Sequence, residues 1–470
     1  MAREALEQRG APKAVGGSGA LDRWFRLREA GTDVRTEVIA GIVTFMTMAY
    51  IIFVNPDILG AAGVPRQAAA VATALGAGVM TILMGLASNY PLALASGMGL
   101  NAVLAFGVVL GAGYTWQQAM GIVFWEGLLV TLLVLTGARE SVMNAIPANL
   151  KRAIGVGIGL FIAFIGLKNA GIITHTATIV PGPGGQPVIS NPTYVALGNL
   201  REPAALLALF GLALTLLLVV RRVRGALLLG ILGTTLVAFF TGQARLPETW
   251  LSLPTAESLA TIGRLDFSVV LNLSAWSFIF AFLMTDFFDT MGTVVAVGGE
   301  AGYLRPDGTV PRLRNVLLVD SLAAVTGGFL GCSSITTYIE SASGVGEGGR
   351  TGLTSVVTGL LFLLAIFFAP VVGIVPSAAT APALIIVGFL MMSVVREIEF
   401  GNPEDGIPAF LTLLGMPLTF NISHGIGLGF VSYVLLKLFR GRARDVHPLL
   451  WVVSALFTVE LFGLWQFIFR

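Results

Sequence analysis

TDFFDTMG, residues 285–292, places two carboxylates, Asp286 and Asp289, inside an otherwise apolar segment. A third acid, Glu340, follows in TTYIES, residues 336–341, between two further apolar segments. An ionisable side chain inside a bilayer is costly, and it is tolerated where it faces a polar cavity, a substrate or a proton path. Three acids in one region therefore predict a site, and they favour a transporter.

The composition identifies the broad class of protein. The chain of 470 residues is 55% hydrophobic and only 11% charged, with a mean hydropathy of +0.86, whereas soluble domains carry roughly a quarter charged residues. This predicts an integral membrane protein with many spans. The single cysteine, Cys332, excludes a disulfide within the chain and a cysteine-based metal site. No other metal motif and no nucleophile–base pair is found within the spans, so no metal, cofactor or enzymatic activity is expected.

Apolar segments of about 20 residues, the length of one bilayer crossing, predict fourteen spans in two repeats of seven. The first repeat comprises Glu37–Val54, Ala68–Leu86, Leu92–Leu110, Gln117–Leu135, Leu150–Gly166, Ala204–Val220 and Ala226–Phe240. The second comprises Val269–Met291, Val316–Leu330, Ser333–Gly346, Thr354–Ala369, Ala381–Val395, Ala409–Phe420 and Ile422–Leu438. One more apolar stretch, Leu449–Phe469, follows a basic linker.

Loop charges orient these spans. With the N-terminus inside, 22 of the 28 Lys and Arg residues fall on the inner side and 5 on the outer side. This bias follows the positive-inside rule and requires an even number of crossings, which fourteen satisfies. We therefore expect a multi-pass protein of a plasma membrane, such as a bacterial inner membrane, with a cytoplasmic N-terminus and the lipid bilayer as its surroundings.

The two sets of seven spans have opposite orientations, and a faint internal echo supports the repeat. TFMTM at residues 44–48 resembles FLMTD at residues 282–286, and the short, Gly-rich third span, with GMGLN at residues 97–101, has its counterpart in the tenth. Short helices interrupted by Gly at matching places of inverted halves point to a transporter binding site. A helix that stops within the membrane leaves backbone N–H groups that a polar substrate can complete.

These stretches resemble the nucleobase–ascorbate transporters, and within them the azaguanine-type branch of adenine/guanine/hypoxanthine permeases. The resemblance covers about residues 35–438, and it is carried by TEVIAG at 36–41, MTMAYIIFVNP at 46–56, GMGLNA at 97–102, DFFDTMGT at 286–293 and TTYIES at 336–341. It implies an all-α polytopic fold of about fourteen spans in two inverted repeats, with half-helices and short strands at spans three and ten. It also implies proton-coupled import of purine bases such as guanine, hypoxanthine or adenine by alternating access, and a homodimer.

The same resemblance implies a core domain of spans 1–4 and 8–11 and a gate domain of spans 5–7 and 12–14. The expected division is a cytoplasmic tail (1–34), first-repeat core (35–138), first-repeat gate (139–245), second-repeat core (266–370), second-repeat gate (371–445) and a C-terminal hydrophobic segment (446–470).

The residue types suggest individual roles. Glu340 is expected at the start of a half-helix, where a carboxylate accepts N–H groups from the backbone or from a ligand; the alternative is a plain helix cap. Asp286 and Asp289 are three apart and share a helix face. Two close carboxylates disfavour double ionisation, so one is suited to carry a proton; alternatively, one of them caps a neighbouring half-helix. Asn101 offers a donor and an acceptor to a base edge, or caps its own half-helix.

In the family, the carboxylate of span eight and the base-binding glutamate of span ten match Asp286 and Glu340, and Asp289 with Thr290 favours the purine branch. The predicted substrate-binding residues are Glu340, Asp286, Asn101, Thr290, Ser341, Gly99 and Thr337, and the predicted proton-coupling residues are Asp286, Asp289 and Glu340. Candidates for an aromatic wall beside the base are Phe287, Phe288, Tyr50 and Phe45.

Two further acids lie within the predicted spans. Glu126 and Asp320 lie within spans four and nine, where pairing with polar groups between core helices is favoured over contact with substrate.

A uracil/xanthine transporter or an anion transporter of the same architecture is the alternative function. An anion site should be electropositive, whereas this site carries three acids and no Lys or Arg. No nucleic-acid partner is expected.

Overall fold

The computed structural model describes residues 20–137, 146–174, 179–181, 187–189, 195–247, 249–303, 305 and 310–462. Within these ranges, ten helices are long and apolar enough to cross a membrane. The protein is a mostly helical, multi-pass membrane protein, as the composition predicts.

The first half of the described chain consists of a short N-terminal helix, α1, and the first repeat. Its elements are α1 Ala20–Phe25, α2 Val34–Met48, α3 Ile51–Ala61, α4 Arg66–Ser88, β1 Leu94–Ser96, α5 Met98–Ala102 with the π-helix Val103–Gly111, α6 Trp116–Thr136, α7 Ala148–Asn169, β2 Ile173–Thr174, β3 Ile179–Pro181, β4 Pro187–Ile189, β5 Ala196–Leu197, α8 Pro203–Val220 and α9 Ala226–Phe240. The strands β2 and β5 form one two-stranded pair, and β3 and β4 another.

The second repeat begins with a 3-10 turn at Phe267–Leu271. Its elements are α10 Ala275–Glu300, α11 Leu313–Leu330, β6 Ile335–Thr337, α12 Ser341–Gly346, α13 Gly352–Ala365, the 3-10 turn Ile366–Phe368, α14 Ala369–Val372, α15 Ser377–Met391 with the 3-10 turn Met392–Glu397, α16 Pro403–Thr419 and α17 Ile422–Phe439. A 3-10 turn at Ala443–Asp445 and a final helix, α18 Pro448–Leu461, follow.

The third and tenth spans are broken in the way that the Gly-rich segments predict. The strands β1 and β6 pair antiparallel with each other, Leu94 opposite Thr337 and Ser96 opposite Ile335. The helix α5 begins directly after β1, and α12 follows β6 after a short turn. Two helix N-termini therefore meet near one short ladder and lead away from it in opposite directions, which confirms the predicted inverted-repeat fold.

Glycine contacts bring spans of the two repeats together. A Cβ atom on Gly352 of α13 would lie 2.0 Å from the carbonyl oxygen of Gly85 on α4. One on Gly388 of α15 would lie 2.4 Å from the carbonyl oxygen of Gly159 on α7. Both distances are far inside van der Waals contact, so only glycine permits these backbone approaches. Span two is thus tied to span eleven, and span five to span twelve.

Both predicted boundaries of span eight are wrong. The helix of span eight does not end at Met291 but continues to Glu300, and its beginning, predicted at Val269, is a separate 3-10 turn. Glycines in residues 292–299 lower both hydropathy and helix propensity, which hides the last turns from the sequence pattern. The acids Asp286 and Asp289 consequently lie near the middle of the helix.

Two polar contacts join the two halves of the fold near opposite faces. In the first, the Asp57 contact, Asp57 of α3 accepts hydrogen bonds from Ser377 Oγ at 2.7 Å and Thr380 Oγ1 at 2.9 Å on α15, and it pairs with Arg66. In the second, the Arg224 contact, Arg224 between α8 and α9 pairs with Glu347 after α12. Each contact links the first repeat to the second.

The final helix packs against the bundle. Phe457 of α18 lies with its ring centroid 6.0 Å from that of Phe430 on α17 and 6.4 Å from that of Phe280 on α10. Gly427 of α17 makes room for it, because a Cβ atom there would lie 3.0 Å from the Phe457 ring. The remainder of the predicted segment, residues 463–469, lies outside the described residues.

A buried carboxylate anchors span one to span eleven. Glu37 of α2 is fully buried and accepts hydrogen bonds from the backbone N–H groups of Arg350 at 2.8 Å and Thr354 at 3.1 Å, and from Thr354 Oγ1 at 2.6 Å. These donors lie at the N-terminus of α13, where N–H groups lack partners within the helix. The carboxylate therefore completes the helix end and fixes α13 to α2.

Glu37→Ala is expected to lower the stability of the protein by about 3 kcal/mol or more, because each buried donor left without a partner costs roughly 1–3 kcal/mol. Glu37→Gln keeps one acceptor oxygen, and its loss should be smaller. The measurement is the thermal unfolding midpoint of the purified protein in detergent. Glu29→Ala is the control, since that side chain is 74% exposed. An Ala variant that melts with the wild type would contradict this role.

Candidate functional site

Glu340 occupies the turn between β6 and α12, near the centre of the fold. It is the N-cap residue of α12, and its side chain is partly exposed. Tyr50, at the break between α2 and α3, is 1% exposed and donates from its hydroxyl to Glu340 Oε1 at 2.8 Å. The break in span one thus places a donor that orients the carboxyl group beside the N-terminus of a half-helix.

The protein is open on the side of Glu340 that faces α10. Ile339 is 49% exposed, and on α10 the residues Asp289, Gly292 and Ala296 are exposed at helical spacing. The helix α10 packs against both β6 and α12, the elements on either side of Glu340. Glu340 and Asp289 therefore border one accessible space, which continues along α10.

The two acids of α10 differ in their surroundings. Asp286 is 1% exposed, whereas Asp289 is open. Three residues along an α-helix turn the side chain by about 300°, so the two lie on adjacent strips of the surface about 60° apart. Only the strip of Asp289 meets the open side, and Asp286 is enclosed between helices.

Asp320 connects three elements behind this opening. Its Oδ2 accepts from Thr290 Oγ1 of α10 at 2.6 Å, and its Oδ1 accepts from the backbone N–H of Thr337 at 3.0 Å and from Thr337 Oγ1 at 2.7 Å. The hydroxyls of Thr290 and Thr336 are 2.9 Å apart. Thr290 and Thr337 are both buried. In this arrangement they join α10 and β6 to Asp320, which agrees with the expectation that Asp320 pairs with polar groups between core helices.

The remaining predicted site residues are buried around the two strands. Ser341 Oγ accepts from the backbone N–H of Ala93 at 3.0 Å and donates to the carbonyl of Tyr338 at 2.6 Å. Asn101 is 0% exposed, and its Nδ2 donates to the Ser96 carbonyl at 3.4 Å. Its Oδ1 has no hydrogen-bond partner in the described part of the chain.

Gly99 lies against the helix of span five. A Cβ atom on it would be 2.8 Å from Ile158 Cγ2 of α7. Of the residues predicted to contact substrate or carry protons, Glu340 and Asp289 are thus accessible, and Asp286, Thr290, Asn101, Ser341, Gly99 and Thr337 lie behind them.

Among the proposed aromatic residues, Phe287 is 0% exposed, and Phe45 packs edge-on against Phe362 with centroids 5.1 Å apart. The side chain of Phe288 lies outside the described part. The tyrosines have polar roles that sequence reasoning did not find: Tyr50 orients Glu340, and Tyr338 donates from its hydroxyl to the Ser96 carbonyl. In the sequence, Tyr50 follows Ala49 and Tyr338 follows Thr337. These small or polar neighbours are the one local sign that the tyrosine hydroxyls lie in polar surroundings.

The chemistry of the site suits a neutral ligand with N–H groups. Its accessible polar groups are carboxyls, which accept hydrogen bonds when ionised. Across the described residues, no group of three or more His, Cys, Asp or Glu side chains is arranged to hold a metal ion.

Comparisons with known proteins identify the family. Residues 35–428 match the model of the Permease family. The chain is 43% identical over 446 residues to the adenine permease AdeP of Escherichia coli, covering 95% of this chain and 96% of that protein. It is also 43% identical over 444 residues to the guanine/hypoxanthine permease PbuO of Bacillus subtilis, covering 93% of this chain and 99% of that protein.

A solved structure shares the fold. The transmembrane domain of a cyanobacterial bicarbonate transporter, BicA, superposes with a TM-score of 0.62 over 83% of this chain and 97% of that chain, at 17% sequence identity. This likeness, together with the half-helices that follow β1 and β6, supports the inverted-repeat architecture of core and gate. The protein is a transporter and not an enzyme. The chain belongs to the permease family of nucleobase–ascorbate transporters, in its branch of adenine/guanine/hypoxanthine permeases.

Proposed function

We propose that the protein is a proton-coupled symporter that imports purine nucleobases. The observation that carries this proposal is the Glu340 carboxyl group, which is partly open, held on one oxygen by Tyr50, and located at the start of a half-helix. The relatives support the substrate class, because the names of two of them specify adenine and guanine/hypoxanthine.

The purine would bind edge-on to Glu340. A carboxylate accepts two N–H groups side by side, which fits the ring N–H and exocyclic amino group of guanine. Hypoxanthine offers its ring N–H, and adenine its exocyclic amino group. The backbone N–H groups at the start of α5 are suited to the acceptor side of the base, since a helix N-terminus favours negative charge density.

Coupling would use the acids beside the base. Asp286, enclosed on α10, would carry the proton or hold a second edge of the base, and Asp289 would exchange protons with the accessible space. The core would then move against the gate, exposing the site to each side in turn, with the Asp57 and Arg224 contacts released alternately. In this proposal the N-terminus is cytoplasmic, the membrane is a bacterial inner membrane, and the protein works as a homodimer.

The rival substrates differ in charge and in hydrogen-bonding pattern. An anion would meet three carboxyl groups around the site, which is unfavourable at short distance in a medium of low dielectric constant. The likeness to a bicarbonate transporter at 17% identity concerns the fold alone. Competition for uptake of radiolabelled hypoxanthine by guanine, adenine, xanthine, uracil and bicarbonate separates these functions. We expect guanine and adenine, the purines in the names of the relatives, to compete with hypoxanthine. We expect that neither uracil nor bicarbonate competes.

Uptake is expected to follow the proton gradient. The acids of the site supply groups that can bind and release protons. The measurement is hypoxanthine accumulation in proteoliposomes with an imposed pH gradient, with and without sodium. Accumulation should need an acidic outside and should be insensitive to sodium. Uptake that requires sodium and ignores the pH gradient would refute proton coupling while leaving purine transport intact.

A further inference from the structure

Glu126 is a buried acid that the proposed mechanism does not yet use. It lies at the centre of α6 and is 0% exposed. Neither of its carboxyl oxygens has a hydrogen-bond partner among the residues that the structure describes. The helix is pressed against α11 on both sides of it: a Cβ atom on Gly127 would lie 2.5 Å from the backbone nitrogen of Val325, and one on Gly328 would lie 2.7 Å from that of Phe124.

Asp320 is the acid of the facing helix α11 and lies one helical turn before the residues that touch Gly127, the neighbour of Glu126. The other titratable side chains near the middle of an element packed against α6 are Asp286 and Asp289 on α10. The π-helix and the 3-10 turn Phe267–Leu271, which also pack on α6, carry none.

The surroundings assign the charge to Asp320 and a proton to Glu126. Asp320 accepts three hydrogen bonds from Thr290 and Thr337, and such bonds stabilise the ionised form. A buried carboxylate without hydrogen bonds is strongly unfavourable. When one of two neighbouring acids is ionised, the pair holds a single proton. In this pair the proton is held by Glu126, whose neutral form is favoured over its ionised form.

We propose that Glu126 is a further proton-holding residue of the transport cycle, which shares one proton with Asp320 behind the substrate site. This inference rests on the proposed function, because it assumes that transport is proton-coupled. Asp320 is bonded to Thr337 of β6, and Glu340 follows β6 by a few residues. The state of the site therefore reaches the acid pair through a short, rigid strand.

One proton moves between the two acids in this cycle. When movement of β6 weakens the Thr337 bonds to Asp320, the Asp320 carboxylate loses stabilisation and takes the proton from the Glu126 hydroxyl group. Glu126 becomes a carboxylate and Asp320 a neutral acid. When the Thr337 bonds reform, Asp320 is again the stronger acid and releases the proton to water in the space beside Asp289. A proton taken up by Glu126 in the opposite orientation of the core restores the starting state.

The test compares Glu126→Gln with the wild type in proteoliposomes. Gln has nearly the shape of the neutral acid but cannot release a proton. We expect the variant to exchange radiolabelled hypoxanthine for unlabelled hypoxanthine across the membrane, and to lose accumulation driven by a pH gradient. Thr131→Val is the matched control on the same helix, because its hydroxyl donates to the Gly127 carbonyl of that helix. It should behave as the wild type in both assays.

Accumulation by Glu126→Gln at the wild-type level under the same gradient would overturn the inference. If wild-type accumulation does not depend on the pH gradient, the proposed proton coupling is wrong. The wild-type measurement alone reveals this, so the two failures can be distinguished. Infrared spectroscopy of the wild type in H2O and D2O provides a second measurement should the Gln variant not fold. A carboxylic-acid C=O band that shifts in D2O and changes when hypoxanthine is added supports the inference, and the absence of any such band refutes it.

Discussion

Glu340→Gln should bind purines at least tenfold more weakly while the protein still reaches the membrane and folds. The amide keeps the size of the side chain but offers one donor in place of an acceptor. If its oxygen remains bonded to the Tyr50 hydroxyl, its NH2 group meets the N–H groups of the base, and donor faces donor. A buried polar group that is mispaired costs about 1–3 kcal/mol, and more when a charge is lost, where 1.4 kcal/mol is about tenfold in affinity.

Calorimetric titration of the purified protein with guanine, hypoxanthine and adenine measures this loss. Tyr50→Phe is the companion variant. It removes the bond at 2.8 Å that orients the carboxyl group but keeps its charge, so we expect a smaller loss. Glu397→Gln is the control, since that side chain is 60% exposed and pairs with Arg152 far from the site. Near-normal affinity in Glu340→Gln would reduce Glu340 to a helix cap.

Asp286→Asn is expected to separate coupling from recognition. Asp286 is enclosed while Asp289 is accessible, so removal of the Asp286 charge should stop proton movement without altering the open face that receives the base. The variant should exchange purine between the two sides and fail to accumulate it against a gradient. Asp289→Asn should be milder, because water can replace the lost carboxylate oxygen at an exposed position.

Parallel measurements of exchange and of gradient-driven accumulation in proteoliposomes distinguish the roles. If both activities of Asp286→Asn fall together, the residue holds the base instead of the proton. If the variant accumulates purine normally, Asp286 has no part in coupling.

The architecture could be predicted from the sequence because bilayer thickness translates directly into apolar length. The short, Gly-rich spans Leu92–Leu110 and Ser333–Gly346 predict broken helices, and the strands β1 and β6 with their half-helices occur there. The acids of TDFFDTMG and TTYIES predict where the site lies. Polar groups in lipid are rare enough that each one carries information.

Contacts between distant residues could not be predicted. The Tyr50–Glu340 bond joins positions 290 residues apart, and nothing in either local pattern specifies the other. The difference in burial between Asp286 and Asp289 depends on which neighbour covers each strip of α10, a property of packing that helical spacing alone leaves open. The last turns of α10 were missed because their glycines resemble a loop, while the surrounding helices hold them in helical form.

The pairing of β1 with β6 has a consequence for how the chain is made. The two strands lie about half the chain apart. Thr81 Oγ1 bonds to the backbone of Leu94 in β1, and Ser341 Oγ accepts from the N–H of Ala93 before it, where the described residues provide no third strand. A ribosome therefore delivers the first strand long before its complement. During that interval the exposed peptide groups of β1 cannot be left facing lipid. Biogenesis must shelter an unfinished third span, in water or beside the insertion machinery, until residue 341 has emerged, so the transport site forms only as a late event of synthesis.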